Sequence, residues 1–300
     1  MSDLRLSFIF PAFSSDYENH PGSGIGAFDT LFGELLLRAS ETADGRLASF
    51  RFRDNNFLND ELLTQYVTFL YSCTLSALIR KAGRKPVVTA GYSMGIYSAL
   101  YDAGSISFET GLRMIGAAYE SITKHMTTHN YAMGALIGLN REDISGIIRE
   151  HDLHAEITNQ NAAHAFVVTG SRDSVTRLLE LAMEEGALHS RDLGVTVPYH
   201  SEYLRKASEI FSTFVDTLEV GSPTLPVLSL VDHSLLTTPE QVRREVVRNL
   251  YRPLNWAVAM KSLLGLGITG FVECGPATGL SRNARFVEGV TFYPPASLLS

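Results

Sequence analysis

Between Val87 and Tyr101 the chain reads VVTAGYSMGIYSALY: an apolar run, then Gly91-Tyr92-Ser93-Met94-Gly95, then residues at helical apolar spacing. A strand, one tight turn and a helix in that order form an α/β signature, and the turn carries a serine. A strand bending sharply into a helix strains the turn residue and lifts its hydroxyl above the sheet. Small residues are needed on both sides, because neighbouring backbone comes very close. The helix opening at Met94 would aim unpaired N–H groups, and the positive end of its dipole, at an oxyanion formed there. Ser93 is therefore a candidate nucleophile. The plainer reading is a tight turn without chemistry, and the setting rather than the pentapeptide weighs against it.

Three hundred residues exceed one ordinary core of roughly 150, so two unequal units are expected. Leu6 to Phe10 (LSFIF) is an apolar run closed by Pro11, which suits a buried strand opening into a loop. Helical spacing runs from Ala27 to Leu37 and from Leu58 to Ala82, the latter stopped by Gly83-Arg84-Lys85-Pro86. Met94 to Ala103 and Phe108 to Lys124 are further helices, with Ser107 as an N-cap. Between His125 and Pro198 the texture changes. Strands are expected at Ala132 to Leu139, Ala165 to Thr169 and Val195 to Val197, with helices at Asp143 to Glu150 and Ser174 to Glu185. That β-α-β-α-β order makes a small α+β unit of the split-βαβ kind, suited to an insertion. Afterwards the first pattern resumes with a long helix from Glu202 to Leu218, a strand at 227–231 and helices near Pro239 to Asn249 and Trp256 to Leu266. A last strand, GFVEC, ends at Cys274.

Composition excludes several classes. With 45% apolar and 19% charged residues the chain is globular. Its net charge of −7, from 25 basic and 32 acidic residues spread along the chain, offers no basic patch to a nucleic acid. Cys73 and Cys274 sit far apart in apolar segments, as core thiols in a reducing compartment do. No uninterrupted apolar stretch of 18 residues occurs, and the N-terminal apolar run is too short for a signal peptide before Pro11. A cytoplasmic protein without membrane segments is expected.

A serine nucleophile needs a base, and nine histidines compete for that role. His125 and His129, or His151 and His154, could pair on a helix face, yet neither pair has an evident third ligand, so no zinc site is expected. His20 and His233 fall in loops, and His164 and His189 in the small unit. His200 lies in VTVPYHSEYL, where a strand ends and a helix follows, so its ring could face the loop edge that holds Ser93. On that context alone a structural histidine is the stronger reading.

Several motifs agree in order: FIFP at the start, GYSMGIYSALYDAGSISF, VPYHSEYL, YRPLNW and ECGPATGL. Together they resemble the malonyl-CoA:acyl-carrier-protein transacylases and the acyltransferase domains of polyketide and fatty-acid synthases, over nearly the whole chain. The resemblance implies an α/β-hydrolase-like catalytic domain, residues 1–125 and 199–300, with an inserted ferredoxin-like subdomain at 126–198. It implies ping-pong acyl transfer by Ser93 as nucleophile and His200 as general base. A backbone carbonyl near Leu254 or Asn255 would orient the histidine, and the backbone N–H groups of Phe13 and Met94 would form the oxyanion hole. The implied partners are an acyl-CoA or acyl-carrier-protein substrate and an acyl carrier protein. Their phosphopantetheine arm would leave the enzyme itself, expected to be a monomer, without a bound cofactor or metal.

The departures carry information too. Relatives have a Gly-Gln-Gly-Ser-Gln loop after the first strand, where this chain reads Ala12-Phe13-Ser14-Ser15-Asp16. Tyr92 stands where relatives often have histidine, and Tyr199 is a bulky ring beside His200. The arginine that holds the malonyl carboxylate in relatives falls on Ala118. Arg113, five residues earlier, is turned about 140° away on the same helix. Tyr92, Ala118 and Tyr199 are thus the candidate substrate-binding residues, and the expected cargo lacks a free carboxylate. Release of the acyl group to water, or a non-catalytic scaffold role, are the alternatives.

Overall fold

The computed structural model describes residues 4–12, 17, 22, 26–52, 55–126, 130–285 and 287–299. Its strands are β1 (Leu6–Phe10), β2 (Pro86–Gly91), β3 (Tyr131–Ile137), β4 (Ala155–Ala162), β5 (Ala165–Ser171), β6 (His189–Asp192), β7 (Val227–Leu228), β8 (Leu235–Leu236), β9 (Leu254–Asn255) and β10 (Gly270–Glu273). Its helices are α1 (Gly26–Thr42), α2 (Glu61–Lys81), α3 (Gly95–Asp102), α4 (Phe108–His125), α5 (Arg141–Glu150), α6 (Arg172–Glu184), α7 (Arg205–Val215), α8 (Pro239–Tyr251), α9 (Trp256–Gly265) and α10 (Gly279–Ala284).

The first sheet has the order β10-β1-β2-β7-β8, with β10, β1, β2 and β7 parallel and β8 antiparallel to β7. Alternation along β1 sends Leu6, Phe8 and Phe10 into a core shared with α1 to α4, α7 and α8. Ile9 points the other way, onto α9 and α10. Covered on both faces, the strand is buried along its whole length, Ser7 included, which is why LSFIF shows no regular apolar–polar alternation. Helix α2 is long and apolar enough by composition to cross a membrane, yet 83% of that stretch is buried in the molecule. It is the central helix of the larger core. Its first turn is capped by Asp60, which accepts from the Leu63 N–H at 3.0 Å. Cys73 and Cys274 are free thiols, both buried.

The second sheet has the order β6-β3-β5-β4-β9. Strands β3 to β6 with α5 and α6 follow the β-α-β-β-α-β order of a ferredoxin-like unit. Two expectations change here. β4, missed in the sequence, reads AEITNQNA: it carries polar groups at an interface rather than an apolar face. The expected strand at Val195 to Val197 is absent, and the fourth strand is the exposed, polar His189–Asp192. Further on, the long helix expected from Glu202 is a 3-10 turn, Glu202–Leu204, followed by α7. Strand β7 covers only two residues of the expected run at 227–231.

Helix α3, which carries the turn after β2, is fixed at its far end by a bidentate ion pair. Arg80 of α2 donates through Nε and Nη2 to the two carboxylate oxygens of Asp102, both at 2.7 Å. The Asp102 side chain is 2% exposed and that of Arg80 28%. Removing the carboxylate strands a partly desolvated guanidinium, so Asp102→Ala should cost about 3 kcal/mol in urea unfolding. Lys124→Ala, which breaks an exposed pair with Glu120, should cost less than about 0.5 kcal/mol. Equal losses would contradict this account of the clamp.

Candidate active site

Ser93 sits at the carboxyl end of β2, where ligands gather in parallel α/β sheets. Its φ is 55°, a left-handed conformation that costs a non-glycine residue about 1–2 kcal/mol. The surrounding backbone enforces it. Tyr92 N–H donates to the Phe10 carbonyl at 2.8 Å, and Gly95 and Ile96 N–H donate back to Tyr92 and Ser93. Both flanking glycines are steric necessities. A Cβ on Gly95 would lie 2.1 Å from the Phe10 carbonyl oxygen, and one on Gly91 would lie 2.2 Å from the Ile96 nitrogen.

The serine Oγ lies 2.8 Å from His200 Nε2. His200 is 3% exposed and also left-handed, with φ 61°. Its Nδ1 lies 2.7 Å from the carbonyl oxygen of Asn249, and its N–H donates to the Leu250 carbonyl at 2.9 Å. A carbonyl only accepts, so Nδ1 carries the proton and Nε2 is left to accept from the serine. The orienting carbonyl is therefore Asn249, not the expected Leu254 or Asn255. The last turn of α8 leaves carbonyls without helical partners, and His200 takes two of them. Leu254 and Asn255 instead pair with β4, and Asn255 caps α9. Burial lowers the His200 pKa from 6.5 to about 4, only partly opposed by the Asn249 bond. The ring is thus neutral near pH 7 and free to accept a proton. The negative end of α8 faces the imidazolium that would result, while the positive end of α3 faces Ser93.

Met94 is the N-cap of α3. Its N–H has no acceptor among the described residues, whereas those of Gly95, Ile96 and Tyr97 are taken. Phe13, proposed as the second oxyanion donor, lies outside the described residues, as do His20 and His129. A cavity of about 30 Å³ adjoins the pair, lined by Ser93, Met94, Tyr97, Ala118, Tyr199 and His200 among others. Among its described lining residues none is a lysine or arginine. Arg113 lines a separate groove with Lys124 and Phe214, as its helical phase requires.

Two of the three proposed substrate-contacting residues, Ala118 and Tyr199, line the cavity; Tyr92 does not. The Tyr92 ring packs edge-on against Trp256 at 6.0 Å. Its hydroxyl donates to Asn161 Oδ1 at 2.8 Å and accepts from Asn159 Nδ2 at 2.9 Å. It ties the serine turn to β4 of the small unit. Sequence reasoning also missed Gln65 and Tyr119 on the cavity wall, and Glu61, which bonds to Gln65 at 3.1 Å. Glu61 and Gln65 form a polar i,i+4 pair at the start of a largely apolar helix, a signal that was present. Among the described residues no group of three His, Cys, Asp or Glu could hold a metal ion.

The sequence profile of the family described as "Acyl transferase domain" matches residues 40–285. The chain belongs to that acyl transferase family. It is 28% identical over 294 residues to the malonyl CoA-acyl carrier protein transacylase of Bacillus subtilis (strain 168), covering 95% of this chain and 90% of the relative. It is 29% identical over 289 residues to the polyketide biosynthesis malonyl CoA-acyl carrier protein transacylase PksC of the same organism, covering 93% and 97%. The crystal structure of FabD from Acinetobacter baumannii superposes with a TM-score of 0.86 at 27% identity, covering 99% of this chain and 96% of that one. The large α/β unit with its small sheet is thus the fold of this acyl transferase family.

The glycine contacts give a direct check on the turn. Gly95→Ala drives a methyl into β1 backbone and should cost about 3 kcal/mol or more. Gly146→Ala, on α5 with nothing within 4 Å of the added carbon, should be neutral or stabilise by up to about 1 kcal/mol. Thermal unfolding of both variants reads the difference. A Gly95→Ala protein as stable as the parent would contradict the described turn.

Proposed function

We propose that this acyl transferase takes an acyl group without a free carboxylate from a CoA or acyl-carrier-protein thioester onto Ser93. It then passes that group to the phosphopantetheine thiol of an acyl carrier protein. The observation carrying the proposal is the 2.8 Å contact between Ser93 Oγ and His200 Nε2, made while Nδ1 is held by a helix-end carbonyl. The names of the two bacillus relatives, both acyl-carrier-protein transacylases, support the donor and acceptor.

In the first half-reaction Ser93 Oγ attacks the thioester carbon as its proton moves to His200 Nε2. The oxyanion is met by the Met94 N–H at the start of α3, with Phe13 N–H as the proposed second donor. Collapse breaks the C–S bond, and the leaving thiolate takes the proton back from Nε2. In the second half a carrier thiol gives its proton to the same nitrogen and attacks the ester, and Ser93 leaves as the hydroxyl. The cargo follows from the cavity. A carboxylate buried there without a cation would lose several kcal/mol, roughly a thousandfold. On this point the chain parts from relatives named for malonyl transfer.

Acetyl-, malonyl- and hexanoyl-thioesters carrying a radiolabel test the proposal, with label on Ser93 followed in the presence and absence of a carrier protein. Acetyl should load at least about tenfold faster than malonyl. Ser93→Ala should abolish loading, and His200→Ala should slow it by about a thousandfold. Label that moves only to carrier supports transfer. Rapid loss to free acid would mean a hydrolase, and no label on folded protein a scaffold.

The pH profile gives an independent check. The base works only when neutral and is lost by protonation below its pKa, so lowering that pKa moves the acid limb of kcat/KM downward. Loading should stay on its plateau through pH 6.5 and fall only toward about 4. An acid limb at or above 6.5 would contradict a buried, neutral base.

A further inference from the structure

One wall of the cavity is polar. Gln65 and Tyr199 line it together with Ser93, and behind them stands Glu61, the half-buried first residue of α2. The Tyr199 hydroxyl donates to Glu61 Oε1. Gln65 Nε2 donates to the same oxygen at 3.1 Å and to the Tyr199 oxygen at 3.3 Å. Burial raises the Glu61 pKa, and the bonds from Tyr199 and Gln65 oppose that rise; in its ionised form the carboxylate only accepts, so the Gln65 amide turns its nitrogen toward Glu61, which fixes its orientation.

Counting protons shows what remains for a ligand. The single phenol proton of Tyr199 goes to Glu61, and both amide protons of Gln65 are spent on Glu61 and Tyr199. Every donor in the cluster is directed into the cluster. Left over are acceptors: Gln65 Oε1, a Tyr199 lone pair, and Glu61 Oε2, which has no hydrogen-bond partner among the described residues. The negative field extends along the wall. Burial, and then the Glu61 charge, raise the pKa of the cavity-lining Tyr119. Arg46, whose charge also reaches Tyr119, is already committed to Asp44 and Asp60 at 2.6 and 2.5 Å.

The Glu61–Gln65–Tyr199 cluster, with its carboxylate, repels an anionic acyl group and leaves a plain alkyl chain beside acceptors it cannot satisfy, while the donors of the lining, Asn249 Nδ2 and the Tyr97 and Tyr119 hydroxyls, lie outside the cluster. A hydrogen-bond donor on the acyl chain satisfies those acceptors. We infer that the Glu61–Gln65–Tyr199 wall makes this enzyme select a short acyl group bearing a hydrogen-bond donor, a hydroxyl or an ammonium, with Glu61 as the specificity-determining residue. This rests on the acyl-enzyme reading of Ser93. The cavity is small, about 30 Å³, which favours a short chain over a long one.

The test uses four three-carbon thioesters on the full protein: propionyl, 3-hydroxypropionyl, β-alanyl and malonyl. The readout is kcat/KM for loading of Ser93. A site built to bond a donor discriminates strongly against the analogue lacking it, so 3-hydroxypropionyl or β-alanyl should load at least about tenfold faster than propionyl. Whichever of the two is favoured tells hydroxyl from ammonium. Malonyl should be slowest. Glu61→Gln introduces donors into the wall and should bring the favoured ratio to within about twofold while raising malonyl loading. Gln65→Met, which removes the amide acceptor without touching the carboxylate, should weaken the ratio by itself. The parent ratio stands even where a variant fails to fold. Loading of all four at similar rates, or a preference untouched by Glu61→Gln in folded protein, overturns the inference and leaves the acyl-enzyme intact. Absence of label from every thioester overturns both.

Discussion

The bond between His200 Nδ1 and the Asn249 carbonyl fixes which nitrogen of the ring is free, and the rest of the site follows from it. That carbonyl stands where it does because α8 ends there. The helix starts under a capping box of Thr238 and Gln241, with Pro239 in its first turn. It buries Val242, Val246 and Leu250 in the larger core. Core packing thus sets the end of a helix, the helix end sets a tautomer, and the tautomer turns a buried ring into an acceptor for Ser93. No aspartate is needed to orient the ring. The carbonyl dipole does so without placing a second full charge in a site that excludes water, where it would be costly.

The serine side of the pair depends on an equally indirect chain. β1 and β2 run parallel with Phe10 beside Gly91, so the backbone just beyond β1 lies against the first residue of α3. Only glycine tolerates that approach. The small sheet then joins the turn through polar groups: Asn159 and Asn161 on the Tyr92 hydroxyl, and Asn255 on Gln160 at 3.1 Å. Each such bond is worth about 1 kcal/mol net. Their larger effect is to hold the two sheets in fixed register around Ser93.

This division explains what could be read from the sequence. The strand–turn–helix around Ser93 was legible because its rule is local: an apolar run, two glycines and a helical repeat. The small unit was legible as a change of texture, but β4 was not, since Asn159, Gln160 and Asn161 serve an interface where an apolar alternation would ordinarily mark a strand. His200 could be ranked among nine histidines only through the family resemblance, because its partner is 107 residues away and nothing local marks it. The Asn249 carbonyl had no side-chain signature at all. Tyr92 is not on the cavity lining: adjacency to the nucleophile in sequence does not fix which way a ring points, and this ring packs against Trp256.

The same logic gives the cavity its character. Ala118 leaves the wall without a cation, while Tyr199 and Gln65 bring a carboxylate close behind it. The cavity wall thus combines Gln65 of α2 and Ala118 and Tyr119 of α4 with Tyr199, the neighbour of His200.

The most direct measurement of the central claim is nitrogen NMR of protein carrying labelled histidine, with His200 assigned through the His200→Ala variant. At pH 7 the His200 ring should be neutral with its proton on Nδ1 and Nε2 bare, and that state should persist on acidification past 6.5. A proton on Nε2, or a charged ring at pH 7, would contradict the account.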